Sequence, residues 1–177
     1  VIITRNGIYL YNPVTEKFSQ PVNFSRADLT YANNLVYYPP NQKMYLVLHD
    51  GTTFEVSLDR TNFANSSITK VALVGNLRPV KNPAATVTTD EGETGWAYDS
   101  VNKMIGGGVY NGLFYVIDPI AKTIKSTTMK SSSVNAIGGV TYMHTLDFDT
   151  SHGAFIFIAK YVNPATPYAP VYRTWAY

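Results

Sequence analysis

The same ordered set of turns recurs three times along this chain, and that recurrence limits the fold more than any other feature. One class is an Asx-Gly dipeptide between two short apolar runs, at Asn6-Gly7, Asp50-Gly51 and Asn111-Gly112. Each is expected to close a two-residue type I′ hairpin, whose central residues need φ > 0. A second class precedes the hairpin: Tyr38-Pro39-Pro40-Asn41-Gln42-Lys43-Met44, then Tyr98-Asp99-Ser100-Val101-Asn102-Lys103-Met104, and more loosely Phe148-Asp149-Thr150-Ser151-His152-Gly153-Ala154, spaced 60 and then 50 residues apart. A third class follows it, in Asn12-Pro13, Asp59-Arg60 and Asp118-Pro119, where the Asx side chain caps the turn and Pro presets φ. No apolar pattern holds a 3.6-residue period for three turns, so a repeat of this length predicts an all-β array.

With the strands of a unit labelled A to D, unit one supplies B (1–4), C (7–11) and D (17–23). Unit two supplies A (34–39), B (43–49), C (52–58) and D (68–75), and unit three A (95–99), B (103–110), C (112–118) and D (123–129). Unit four supplies A (143–148), B (154–161) and C (171–176), which makes 14 strands in a single domain, with unit boundaries near 1–23, 24–75, 76–129 and 130–177. The runs Met44–Leu48, Leu113–Ile117 and Ala154–Ala159 are apolar throughout, so burial is expected on both faces of those strands. Composition agrees: 15% charged residues is low, and 14 Tyr, 8 Phe and 2 Trp are the side chains that stacked sheets need.

Antiparallel four-stranded units with doubly buried inner strands resemble the blades of the generic β-propeller repeat superfamily, and Gly112-Leu113-Phe114-Tyr115-Val116-Ile117-Asp118-Pro119 is the best match. The resemblance implies a β-propeller, or a partial propeller arc of about 3.5 blades. There is no Trp-Asp pair of WD40 repeats and no Gly-Gly in the Kelch position, since Gly106-Gly107-Gly108 falls within strand B of one unit only, so the resemblance implies a shape and no activity. The N-terminus offers B, C and D while the C-terminus offers A, B and C. These overlap instead of completing one blade, so completion by further chain or another subunit is expected.

A net charge of +2 with no Lys/Arg run provides no footprint for nucleic acid, and no apolar stretch reaches the length of a membrane-spanning helix. Without cysteine, thiol catalysis, Cys-based zinc sites and disulfides are excluded. The start Val1-Ile2-Ile3-Thr4 reads as a strand without initiator Met or signal-peptide regions, so a trimmed or processed N-terminus is expected.

In this parse the D–A connections (24–33, 76–94, 130–142) and the segment 162–170 are long and share one face, which is the expected binding face. Its candidate residues are Arg26, Tyr31, His49, Asp50, Arg78, Tyr110, Asn111, Tyr142, His144 and Tyr168. Tyr with Asn, Ser and Thr suits recognition of protein or glycan; the competing reading has many of these tyrosines filling space between sheets. Asp90, Glu91 and Glu93 around Gly92 are candidate oxygen ligands for Ca²⁺, against a solvated loop. The stretch Asp147-Phe148-Asp149-Thr150-Ser151-His152-Gly153 is expected to form an A–B turn capped by Asp149 rather than a calcium loop.

No nucleophile elbow, P-loop or dinucleotide fingerprint occurs. The expected function is a non-catalytic interaction or structural module, extracellular, surface-exposed or virion-associated, that binds protein or glycan and needs no cofactor. The alternative is a propeller-type lyase or hydrolase using His144 with Asp147 or a loop carboxylate, with a divalent ion.

Overall fold

The computed structural model describes residues 2–4, 7–20, 32–48, 50–59, 61–62, 65–77, 95–110, 113–129, 140–161 and 171–177. Strands β1 (Ile2–Thr4) and β2 (Gly7–Tyr9) form one two-stranded sheet, and β3 (Tyr11–Asn12) and β4 (Lys17–Phe18) another. A four-stranded sheet holds β5 (Ala32–Tyr38), β6 (Lys43–Leu48), β7 (Thr53–Ser57) and β8 (Ser67–Lys70). The next has the order β10 (Trp96–Asp99), β11 (Met104–Tyr110), β12 (Leu113–Asp118), β13 (Thr123–Thr128) and β9 (Val74–Gly75). The last holds β14 (Val140–Asp149), β15 (Ala154–Tyr161) and β16 (Val171–Ala176). The described residues are thus nearly all β, without an α-helix. No sheet closes on itself, and β1 and β16 belong to different sheets.

Burial follows the pleat on both sides of the middle strands. In β12, Phe114 faces the β14–β16 sheet, where it meets Phe155 and Phe157, while Tyr115 and Ile117 face the β5–β8 sheet and pack with Tyr38, Tyr45 and Val47. In β6, Tyr45 and Val47 point to that same interface, whereas Leu46 and Leu48 point the other way into a cluster with Phe54 and Val56. Tyr38, Tyr45 and Tyr115 therefore fill space between sheets. Tyr38 also ties two sheets together, its hydroxyl donating to the Lys103 carbonyl at 2.6 Å. Burial pushes the hydroxyls of Tyr38 and Tyr45 up from their ordinary pKa. First strands run side by side: β10 lies against both β5 and β14. Gly95, just before β10, permits this approach, since a Cβ there would stand 2.6 Å from Leu146 Cβ.

Several expected boundaries change. The C strand of unit one is interrupted at Leu10, whose N–H donates to Ser19 Oγ instead of a ladder carbonyl, so β2 and β3 fall in separate sheets. The expected D strand at 68–75 divides, because residues 74–75 leave β8 and pair in parallel with β13. Gly75 allows the switch: at φ +128 a Cβ would lie 2.0 Å from the Ile124 carbonyl oxygen. The Asp50-Gly51 hairpin is a three-residue type rather than I′. Gly51 alone of the pair has positive φ, its N–H donates to Leu48 O, and Leu48 N–H donates to Thr52 O. Thr4 pairs with Gly7, so Gly7 opens a strand instead of sitting in the turn. Tyr110 pairs with Leu113, leaving Asn111 and Gly112 as the two-residue connection; both lie outside the described residues.

The Asx turns form as expected. Asn12, Asp59, Asp99 and Asp118 each accept N–H groups two and three residues on, through one side-chain oxygen. Four of the turns share a second feature: the residue four positions after the cap enters the left-handed region, at Glu16, Lys103, Lys122 and Gly153. In the last of them Asp149 accepts hydrogen bonds from Ser151 and His152, and these hold its carboxyl well below the usual carboxylate range.

Two outcomes follow from burial and charge. Phe114→Ala should cost about 3–5 kcal/mol in urea unfolding, whereas Ile158→Ala, on the outer face of the last sheet and 39% exposed, should cost below roughly 1 kcal/mol. Because the folded-state pKa of Asp149 is depressed, its contribution is full above the ordinary carboxylate range and is lost as pH falls through the folded value. The melting-temperature gap between wild type and Asp149→Asn should stay level above about pH 5 and shrink below about pH 4.

Candidate functional site

The site with the most definite geometry lies where β10 begins, at the end of the sheets that carries the B–C hairpins and the D–A connections. Trp96 is the first residue of β10, 4% exposed, and its ring lies between the β5–β8 and β10–β13 sheets. Gly107 and Gly108 on β11 make room for it, and Gly106 makes room for Phe155 on the other side. Opposite Phe114 the strand carries two residues, Gly108 and Val109, because the register shifts between Gly107 and Tyr110. Gly107 has φ +152 and Gly108 φ +60, and the Gly108 N–H donates to the Gly95 carbonyl at 3.1 Å. A Cβ on Gly108 would lie 2.4 Å from Trp96 Cζ2, and one on Gly106 would lie 2.3 Å from Phe155 Cζ. The Gly106-Gly107-Gly108 run thus lets one strand take an indole on one side and a phenyl ring on the other.

From the neighbouring sheet the β6–β7 hairpin completes this wall. Gly51 sits beside the indole: a Cβ there would be in ordinary contact with Trp96 Cη2 at 3.7 Å and would crowd Ile124 Cδ1 at 2.6 Å. Asp50 shapes the hairpin from within: its carboxylate accepts the Thr52 N–H at 2.8 Å and the Thr52 hydroxyl at 3.0 Å. It thereby acts as a turn residue in the free chain. The Trp96 indole N–H, though buried, has no acceptor among the described residues. Neither Trp96 nor its glycine cradle was singled out from the sequence as a site. The signal was present in the three consecutive glycines, because glycine inside a strand marks a bulge or a close approach.

Other candidate residues are placed unevenly. Asp147 lies on β14 opposite Ile156 and accepts the N–H of Phe148 at 2.8 Å. His144 is the extra residue at a register shift between Met143 and Thr145, and Tyr142 pairs with Lys160. Tyr110 ends β11. The side chains of Tyr110, Tyr142 and His144 lie outside the described residues, as do Arg26, Tyr31, His49, Arg78, Asn111 and Tyr168 entirely. Asp90, Glu91 and Glu93 also lie outside them. Among the described residues no three His, Asp or Glu side chains converge on a metal position, and no helix is long and apolar enough to cross a membrane. Asp149, Ser151 and His152 do meet, at the opposite A–B end. Both Ser151 Oγ and Asp149 Oδ2 contact the same ring nitrogen, His152 Nδ1, so the trio cannot relay a proton from serine through the ring to aspartate.

Gly108→Ala tests the cradle. The left-handed backbone should cost roughly 1–2 kcal/mol and overpacking against the indole about 1–3 more. In a Trp175→Phe background, where Trp96 alone reports, the substitution should also shift the indole emission; unchanged emission and stability would show that the ring does not rest on Gly108.

No family model and no curated protein matches the chain. Among solved structures, the fold is similar to that of an auxiliary nutrient binding protein from Bacteroides thetaiotaomicron VPI-5482, with a TM-score of 0.51 at 11% sequence identity. The match covers 84% of this chain and 39% of the other, so this chain spans well under half the length of the protein it resembles.

Proposed function

We propose that the chain is a non-catalytic interaction module, an arc of β-propeller blades that binds protein or glycan through the face formed by its D–A and B–C connections. The observation that supports this reading is the layering of the sheets: first strands β5 and β14 both lie against β10, and the middle strands are buried on both faces. Trp96 lies between two of these sheets with an indole N–H that has no acceptor among the described residues. The similar solved structure belongs to a binding protein more than twice the matched length, which supports recognition on a larger ring completed by further chain or another subunit. An extracellular, cell-surface or virion setting suits a tyrosine-rich recognition face of this kind.

Binding of the labelled protein to a glycan array, and to protein partners captured from the same setting, tests the face directly. Tyr142→Ala combined with Tyr168→Ala should weaken the strongest interaction by about tenfold or more. Binding unaffected by both substitutions, or substrate turnover that disappears in His144→Ala, would overturn the proposal.

A further inference from the structure

The sheets β5–β8 and β10–β13 each reach a fourth antiparallel strand, β8 and β13, whereas the sheet β14–β16 stops at its third. The pairing of that third strand fixes which of its backbone groups point outward. Phe155 and Tyr177 exchange both hydrogen bonds, at 2.7 and 2.9 Å, so they form a hydrogen-bonded pair. The register runs unbroken from there through Phe157–Trp175, Ala159–Arg173 and Tyr161–Val171. Hydrogen-bonded pairs alternate with non-bonded ones, so Tyr172, Thr174 and Ala176 direct their N–H and C=O groups away from β15. No described strand pairs with that edge. Its protection is slight: β16 contains no Pro and no Lys, its pairing shows no bulge, and its one charged residue is Arg173, whose backbone groups bond toward β15.

Elsewhere the chain shows what such an edge accepts. Fourth strands begin Ser67-Ile68-Thr69-Lys70 and Thr123-Ile124-Lys125-Ser126, in each case a hydroxyl residue, then Ile, then polar and basic residues. The Ile turns inward in both, Ile68 against the Leu46 cluster and Ile124 against the Tyr115 cluster, while the residues that follow are exposed. The outer edge of β13 then accepts yet another strand, β9, in parallel.

We propose that β16 is an acceptor edge for an added antiparallel strand of the β8 and β13 type: an extended Thr/Ser- and Lys-bearing segment with one Ile directed toward the β10–β13 sheet. Main-chain bonds to Tyr172, Thr174 and Ala176 supply the affinity, and the single inward Ile supplies register. This rests on the reading of the chain as an arc of four-stranded units, and it is separate from recognition at the loop face.

The test uses the 177-residue chain and a fluorescein-labelled peptide with the sequence of residues 122–128. Titration followed by anisotropy should show saturable binding. Thr174→Pro removes one outward N–H without touching the bonds to β15, so it should weaken binding by at least about tenfold while circular dichroism and melting temperature stay unchanged. A peptide N-methylated at alternate amides should fail against the unaltered protein, which keeps the test valid if Thr174→Pro misfolds. Hydrogen exchange of the Thr174 and Ala176 amides in the free chain should be fast. Slow exchange would mean the edge is already paired within the chain and would overturn both the strand acceptor and the arc. Fast exchange without peptide uptake at about 1 mM would overturn the acceptor alone. Self-association abolished by Thr174→Pro would overturn the proposed occupant in favour of a second copy.

Discussion

Everything in this structure depends on burying both faces of the central strands. Successive residues of β12, Phe114 and Tyr115, are almost wholly buried against different sheets, and in β6 Tyr45 is buried against the β10–β13 sheet while Leu46 is buried on the opposite face among Leu48, Phe54 and Val56 of its own sheet. A strand of that kind cannot be an exposed edge or one wall of a simple two-layer sandwich; it needs a sheet on each side. Aromatic side chains fill the interfaces in tilted and edge-on geometry. Tyr38 stands edge-on to both Tyr45 and Tyr98, with ring centroids 5.7 and 5.3 Å apart, and Phe148 stands edge-on to Phe155 at 4.9 Å.

Turns at the sheet ends carry a second, local constraint. One Asx oxygen accepts two successive N–H groups, and four residues after the cap the chain reverses through a left-handed residue. Lysine occupies that position at Lys103 and Lys122 and glutamate at Glu16, although glycine would adopt it with less strain. The cap therefore holds the turn against a backbone preference. This explains why the caps were legible from Asn-Pro and Asp-Pro while the left-handed residues were not: Lys and Glu carry no outward sign of positive φ.

Legibility differs in the same way across the candidate site. Asp149 as a turn cap and the two-residue connection at Asn111 and Gly112 could be read from short-range chemistry, and both agree with the structure. The Trp96 cradle could not, because it joins the β6–β7 hairpin to a bulged strand more than fifty residues later. Nor could the departure of Val74 and Gly75 to the next sheet, which depends on Gly75 lying against the backbone of Ile124. In the Asp50-Gly51 hairpin the dipeptide was right and the turn type wrong, since the register set by Leu48 and Thr52 selects the three-residue loop.

By itself, the sequence determined an all-β chain, the order of its strands and most of its turns. These follow from alternation, apolar run length and Asx, Gly and Pro chemistry, all of which act over a few residues. Tertiary structure alone decided which sheet each buried aromatic meets, where β11 bulges and which strand crosses to a neighbouring sheet. Those outcomes depend on side chains fifty or more residues apart competing for the same space, and no local pattern encodes the winner.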